Sequence, residues 1–271
     1  MKQRKEKSVF REYAESIIIA VVLAIVMRQF VVQAFKIPSG SMEQTLQIGD
    51  HILVNKFLYR FTHPKRFDVI VFKYPWDEER DFIKRVIALP GDRVQVRNRR
   101  VYVNDQPLQE PYAHYVSARL RDKTFGPIVV PKKGDTVEIR RDRHLYLNGK
   151  RMRLPLGHLS SGRFSPRSHG PPMTGFEVFY APLFPVVGTT LQKPVGPLIV
   201  QHDYYFTLGD NRDNSQDSRY WGFVVDTRIK GKAFFIYWSW NRYGRFAQHI
   251  RWNRLGKLLQ LFPTGNFAVS R

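Results

Sequence analysis

Cysteine is absent from this chain, and acidic residues are scarce. The 271 residues contain no cysteine, which excludes disulfide bonds, cysteine-ligated zinc, iron–sulfur clusters and a cysteine nucleophile. There are 44 Lys and Arg against 23 Asp and Glu, which gives a formal net charge of +21. Such a charge favours anionic partners, either nucleic acid or an anionic membrane surface.

Patterns for binding metals and phosphates are also lacking. The eight histidines show no metal-ligand spacing, and no glycine-rich phosphate loop is present. We therefore expect no metal and no cofactor. The hydrophobic content of 43% and the aromatic content of 14% exclude a disordered chain, so a folded core is expected.

The N-terminal region contains the longest apolar run. The segment 17–27 has no polar residue, and we expect a transmembrane helix at about 10–30. Five basic residues precede the run: Lys2, Arg4, Lys5, Lys7 and Arg11. This bias predicts a cytoplasmic N-terminus and an extracytoplasmic remainder. A cleaved signal peptide and a buried helix are the alternatives, but no small-x-small cleavage site occurs from 28 to 36.

The rest of the chain shows the period of strands. Apolar alternation, separated by Pro, Gly, Asn and Asp, occurs at 31–35, 51–54, 68–74, 82–88, 94–96 and 101–103. We expect a mainly β protein with an antiparallel β-sheet as its main domain. The expected division is a cytoplasmic N-terminus and anchor at 1–30, a main β domain at 31–104 and 201–245, an inserted β/loop subdomain at 105–200, and a basic tail at 246–271.

One pattern occurs twice. The segment GDRVQVR at 91–97, followed by VYVN at 101–104, is echoed by GDTVEIR at 134–140, followed by LYLN at 145–148. Two copies are too few for a solenoid, so we interpret them as two similar local hairpins.

Two short segments contain residues suited to acyl-transfer chemistry. In IPSGSMEQTL at 37–46, Pro38 and Gly40 bracket a bend that can bring a serine hydroxyl and a backbone N–H together, as a nucleophile and an oxyanion hole require. In FIKRVIALPGD at 82–92, Lys84 lies in an otherwise apolar strand. Burial would lower its pKa and leave a neutral amine that accepts a proton from serine. From this segment alone, an edge-strand lysine is the alternative.

A third segment, LGDNRDNSQDSRYWG at 208–222, completes a known pattern. The three segments, in this order behind an anchor, resemble those of the bacterial type I signal peptidases (leader peptidases). The resemblance implies a membrane-anchored serine endopeptidase with a Ser/Lys dyad, which removes signal peptides from exported preproteins at small-x-small sites. It also implies signal peptides, membrane lipids and a secretion translocon as partners. The implied location is the cytoplasmic (inner) membrane, single-pass, with the catalytic domain on the extracytoplasmic face.

The resemblance assigns roles by motif matching. Ser41 would be the nucleophile and Lys84 the general base. Ser39 would donate to the oxyanion beside the Ser41 N–H, and Ser215 would hydrogen-bond Lys84. The charged residues expected as scaffolding near the site are Arg85, Asp210, Asp217 and Arg219. The residues expected to bind substrate are Ile37, Met42, Phe82 and Ile83.

The sequence departs from the family at three positions. Gln44 replaces a frequent proline, Phe82 replaces a frequent tyrosine, and Gln216 replaces a common small residue. None of these changes removes a reacting group, but Phe82 and Gln216 limit how far the family's substrate specificity can be expected of this chain.

Two other functions are alternatives to this interpretation. Self-cleaving repressor-type proteases also use Ser and Lys, but they are soluble and carry a DNA-binding helix pair, which is not apparent before Ser41. A membrane-tethered basic protein that binds nucleic acid would use the +21 charge. The expected topology places that charge away from cytoplasmic nucleic acid, so no nucleic-acid partner is expected.

Overall fold

The computed structural model describes residues 9–75, 77–116, 124–142, 144–152, 195–244 and 246–259. Its α-helices are α1 (Val9–Phe30) and α2 (Ser218–Trp221). Its strands are β1 (Val32–Lys36), β2 (Asp50–Asn55), β3 (Val69–Tyr74), β4 (Asp77–Ala88), β5 (Arg93–Arg97), β6 (Arg100–Val103), β7 (Gln106–Pro107), β8 (Phe125–Val129), β9 (Thr136–Ile139), β10 (Leu145–Leu147), β11 (Lys150–Arg151), β12 (Val195–Ile199), β13 (Tyr204–Leu208), β14 (Val224–Val225) and β15 (Ile229–Ser239).

The largest sheet has seven strands in the order β1-β2-β15-β3-β4-β13-β14. Its strand pairs are antiparallel, which confirms the mainly β, antiparallel class predicted from the sequence. Strand β2 shows the expected period of two, because Ile52 and Val54 are buried and their neighbours only partly so. The apolar face of β2 packs in a core with Met42, Leu46 and Ile236.

Strand β13 joins this sheet to the rest of the molecule. All five of its residues are buried, which indicates packing on both faces. Tyr205 packs in one core with Phe72 and Trp221. Phe206 and Leu208 belong to a different core, which also contains side chains of the two smaller sheets. The third motif segment begins where β13 ends, so its position is fixed from two sides.

The two smaller sheets are copies of one module. They have four strands each, in the orders β7-β6-β5-β8 and β11-β10-β9-β12, so the elements correspond one to one. The interpretation of the echo as two local hairpins is therefore too narrow, because the repeat includes the third and fourth strands of each sheet.

Matching details support the duplication. Asp92 accepts hydrogen bonds from the backbone N–H three residues earlier at 2.7 Å and from Asn104 Nδ2 at 2.7 Å. Asp135 accepts the same pair of bonds, with Asn148 as its partner, both at 2.9 Å. These two aspartates close equivalent turns at the entrance of each module.

Equivalent glycines occur in the fourth strands. Gly126 and Gly196 have φ of +82° and +98°, and a Cβ at these positions would lie 2.7 and 2.9 Å from the carbonyl oxygens of Val94 and Val137. The backbones approach so closely that each module requires glycine at this point.

The modules also locate the insertion. The boundary expected at residue 105 falls between β6 and β7, which pair in one sheet, so the first module begins with β5. Most of the Pro-, Gly- and Ser-rich stretch at 155–197 lies outside the described residues.

The N-terminal helix predicted at 10–30 is found as α1. Within the part of the chain that the structure describes, no helix is both long enough and apolar enough to cross a membrane. The predicted transmembrane anchor is therefore not confirmed.

The described part of the expected basic tail, 246–259, packs against the large sheet. Leu259 is buried in its core, and Arg254 Nε donates to Asp50 Oδ1 at 3.0 Å. The described part of the tail is therefore a segment packed on the domain.

Candidate active site

Ser41 lies in a short 3₁₀ turn, Gly40–Met42, between β1 and β2. Met42 and Leu46 anchor this turn because both side chains are fully buried in the core beside β2. Ser41 itself is 8% exposed. The first N–H groups of a helical turn have no partner within it, so the Ser41 N–H is available to a ligand.

Lys84 approaches Ser41 from β4, a strand inside the large sheet. In the sheet, Lys84 pairs with Ile70 of β3, and Arg85 pairs with Leu208 of β13. Lys84 Nζ lies 2.8 Å from Ser41 Oγ and 2.9 Å from the carbonyl oxygen of Ile83. The side chain is 3% exposed, so this contact is nearly excluded from water.

Burial lowers the pKa of Lys84 from its ordinary value of 10.5 to about 8. Asp217 and Asp210 oppose this change, because negative charge favours the ammonium, and Arg219 reinforces it. A substantial fraction of the amine is therefore neutral near pH 8. In that form it can accept the Ser41 proton along the hydrogen bond that is already present.

The two acids close to Lys84 are each paired with arginine. Arg85 Nε and Nη2 donate to Asp210 at 2.8 and 2.6 Å. Arg219 Nε and Nη2 donate to Asp217 at 2.8 Å each. Burial alone would raise the pKa of Asp217, but Arg219 and the Gly209 N–H hold it below its ordinary value. The structure thus brings Arg85, Asp210, Asp217 and Arg219 together as two buried ion pairs near Lys84.

The third motif segment holds the Ser41 turn in place. The Asn211 N–H donates to the Ser41 carbonyl at 3.1 Å, and Asn211 Nδ2 donates to the Gly40 carbonyl at 3.1 Å. Gly209 packs against the same turn, since a Cβ there would lie 2.5 Å from the Ser41 carbonyl oxygen. Asn211 is not among the residues expected from the sequence. Its signal there is only its place in the motif, next to the acid that pairs with Arg85.

Ser215 is placed beside this turn rather than on the lysine. Its hydroxyl is buried and has no hydrogen-bond partner among the described residues, so the expected bond to Lys84 is not formed in this structure. A Cβ on Gly209 would lie 2.1 Å from Ser215 Oγ. The hydroxyl is therefore packed against the glycine that also contacts the Ser41 main chain.

A cleft of about 480 Å³ opens over the Ser41–Lys84 pair. Phe82 and Ile83 line it, and so does Ser39, whose side chain makes no capping bond to the turn. The other lining residues are Pro38, Gly40, Arg80, Asp81, Asn214 and Gln216.

The expectation that Ile37 and Met42 bind substrate is not supported by their positions. They are 2% and 0% exposed, pack in the core of the large sheet, and do not line the cleft. Being next to a nucleophile in sequence does not decide which way a side chain faces, and here both are needed to seat the turn.

The positions that depart from the family have structural consequences. Gln44 has φ of +78°, which proline cannot adopt because its ring fixes φ near −65°. Its amide Nε2 lies 2.7 Å from His114 Nδ1. Gln216 and Phe82 both line the cleft, and the Phe82 ring centroid lies 5.3 Å from Lys84 Nζ.

Comparison with known proteins identifies relatives over most of the chain. The family model described as "Signal peptidase, peptidase S26" matches residues 10–133 and 127–238. Signal peptidase I of Aquifex aeolicus is 34% identical over 223 residues, which covers 81% of each chain. Signal peptidase I of Pseudomonas aeruginosa is 31% identical and covers 84% of this chain and 72% of its own. Probable signal peptidase I-2 of a Synechocystis species is 31% identical, with coverages of 90% and 80%.

Burial of Lys84 predicts a specific dependence of stability on pH. Between pH 8 and 10.5 the unfolded lysine binds a proton that the folded one has lost, so the free energy of unfolding rises with pH. Lys84→Met removes this contribution. The difference in unfolding free energy, wild type minus Lys84→Met, should increase by about 2 kcal/mol from pH 8 to 10, measured by urea unfolding. With Lys150→Met, at an exposed strand position, the difference should stay constant. A constant difference for Lys84→Met would contradict the burial argument.

Proposed function

The chain belongs to the signal peptidase family, peptidase S26, and from this premise we propose that it cleaves exported preproteins with a Ser41–Lys84 dyad. The observation that supports the dyad is the 2.8 Å contact between Lys84 Nζ and Ser41 Oγ, made by an amine whose pKa is lowered to about 8. A scaffold lysine would be paired with a carboxylate or exposed to solvent. This one instead contacts a hydroxyl at the floor of a cleft.

Acylation follows from this geometry. Neutral Lys84 takes the proton of Ser41 as Oγ attacks the carbonyl carbon of the scissile peptide bond, and the carbonyl oxygen becomes an oxyanion. The Ser41 N–H and the Ser39 hydroxyl are the proposed donors to that oxyanion. When the tetrahedral intermediate collapses, the C–N bond breaks and the lysine ammonium gives its proton to the leaving amine. The signal peptide then remains as an ester on Ser41.

Deacylation repeats these steps with water. Neutral Lys84 takes a proton from a water molecule, whose oxygen attacks the ester carbonyl. The second tetrahedral intermediate expels Ser41, which recovers its proton from Lys84. Ser215, packed beside the Ser41 main chain, is proposed to hold the site in register and to orient the amine.

The proposed substrate selection rests on the cleft. Its walls next to the dyad include Phe82 and Ile83. We propose that these two apolar side chains exclude bulk beside the cleaved bond, so that small residues are selected at −1 and −3. The family match favours this function over a self-cleaving repressor-type protease and over a nucleic-acid-binding protein.

The proposed location is the cytoplasmic membrane, where lipids and a secretion translocon would be partners. Its support is α1, along which large apolar side chains are exposed, including Ile17 at 62%, Ile19 at 60% and Leu23 at 58%. Water does not favour such a surface, and lipid would. The proposed orientation puts the N-terminus in the cytoplasm.

Two substitutions test the proposed nucleophile and the proposed base separately, and the second keeps the positive charge of the lysine. Ser41→Ala should abolish cleavage of a preprotein. Lys84→Arg should lower kcat by at least about 10²-fold, because a guanidinium stays protonated and cannot act as a base. Wild-type kcat/KM should rise with pH with an apparent pKa near 8. The measurement is the rate of appearance of the mature N-terminus. Substantial turnover by Lys84→Arg would contradict the dyad, even if Ser41 proved essential.

The residue before the cleaved bond tests the substrate class. Replacing a −1 Ala by Phe should block cleavage, whereas Gly or Ser at −1 should be tolerated. Phe at −2 is the matched control, because that side chain is not expected to enter a pocket. The measurement is kcat/KM for the four variant peptides, each relative to the peptide with Ala at −1. Efficient cleavage after Phe would show that the cleft does not exclude large side chains.

Membrane placement is tested apart from catalysis. The full chain should resist extraction from membranes by alkaline carbonate, and external protease should digest the catalytic domain in intact spheroplasts. Ile19→Lys combined with Val22→Lys places two charges in the apolar part of α1, each costing about 3 kcal/mol in a bilayer, and should release the protein. Digestion only after lysis would refute the orientation, and extraction of the wild type would refute the anchor.

A further inference from the structure

The connection between β7 and β8 of the first module reaches the candidate active site. We call its residues 110–115 the arm. The arm contacts the third motif segment and lines no part of the described cleft. The corresponding connection of the second module falls outside the described residues.

The arm pairs with the motif segment through the main chain. The His114 N–H donates to the Asp210 carbonyl at 2.7 Å, and the Arg212 N–H donates to the His114 carbonyl at 2.8 Å. His114 thus forms a parallel bridge with Asn211. These bonds set the position of residues 210–212 along the arm.

A buried ion pair fastens the same contact. Arg212 Nη1 and Nη2 donate to the two carboxylate oxygens of Glu110 at 3.1 and 2.5 Å, and both side chains are almost fully buried. The Tyr112 hydroxyl donates to Glu110 at 3.1 Å, and its ring lies 4.0 Å from the guanidinium of Arg85. Burying such a pair contributes little net stability, so its geometric effect is the more informative one.

Residues 209–212 therefore lie between the arm and the nucleophile. On one side they meet Glu110 and His114. On the other side Asn211 holds the Ser41 carbonyl at 3.1 Å, and Arg212 Nε also donates to the Gly209 carbonyl at 3.1 Å. A displacement of the arm would be passed to the Ser41 turn through this short segment, which is hydrogen-bonded on both sides, and through the contact between His114 Nδ1 and Gln44 Nε2 at 2.7 Å.

We propose that the arm positions the nucleophile, and that Glu110 is a positioning residue for peptide hydrolysis. By holding Arg212, Glu110 fixes the distance and direction from Ser41 Oγ to Lys84 Nζ without touching substrate. The inference rests on the proposed function and adds a role for the inserted module. Misplacement of a reacting group by about 1 Å costs on the order of 10²-fold in rate, so the effect should be visible in kcat.

The test compares variants of the full-length chain on one preprotein. Glu110→Gln removes the negative charge and keeps the shape of the side chain. Arg212→Lys keeps the positive charge and loses the two-point contact, and the double variant combines the two changes. Asp135→Ala is the matched control, because it breaks buried hydrogen bonds in the second module, away from the site. Thermal melting accompanies every kinetic measurement.

Glu110→Gln is expected to lower kcat at least about tenfold with KM within about twofold, because the arm does not line the cleft. The double variant should lose no more than the worse single variant, since Glu110 is proposed to act only through Arg212. If Glu110→Gln does not fold, Arg212→Lys is held to the same criterion.

Three results would overturn the inference: wild-type kcat in the variants, an equal loss in Asp135→Ala at equal melting temperature, or losses that multiply in the double variant. Failure of the proposed function is recognised separately, because wild type would then not cleave the preprotein at all.

Discussion

An amine almost excluded from water, next to a hydroxyl, is the constraint on which the rest of the site depends. In the proposed mechanism Lys84 can act as a base only while its neutral form is accessible, and burial supplies that condition. Nearby carboxylates would reverse it. Asp210 and Asp217 both favour the ammonium, and each is held by its own arginine. Each arginine offsets the charge of its acid, so both acids can lie near Lys84 while the pKa of the lysine stays lowered.

The neutral amine also needs a fixed partner. Ser41 lies in a turn too short to be rigid alone, and its rigidity comes from both sides: apolar side chains of the turn enter the sheet core, and the segment after β13 binds its carbonyls. Gly209 permits that approach because any side chain would meet Ser215 and the Ser41 main chain. The geometry of the proposed dyad thus depends on a glycine, an amide and core packing, none of which takes part in the proposed reaction.

The sequence was informative where the signal was local. Strands with regular alternation lie near their predicted bounds, and the structure brings Ser41 and Lys84, both selected from the motifs, within 2.8 Å of each other. Orientation within a tight turn was not predictable, so Ile37 and Met42 were placed in a pocket although they lie in the core. The role inferred for Glu110 depends on a partner a hundred residues away, which no spacing reveals. Only the first two strands of each module can be recognised as a repeat in the sequence, because the third strands are short and the fourth strands follow long connections.

The duplication creates ambiguity for the folding chain. The fourth strand of each module offers the same edge to the same kind of partner: Ile128 pairs with Val94 in one, and Leu198 with Val137 in the other. During folding, either fourth strand could therefore occupy the other module's edge, as happens in multidomain and repeat proteins that misassemble. The side chains of the two modules pack in one shared core, where Val96 corresponds to Ile139 and Val103 to Leu147. An exchanged strand would meet a side chain of different size at each of these positions, so the differences between the copies disfavour the exchange.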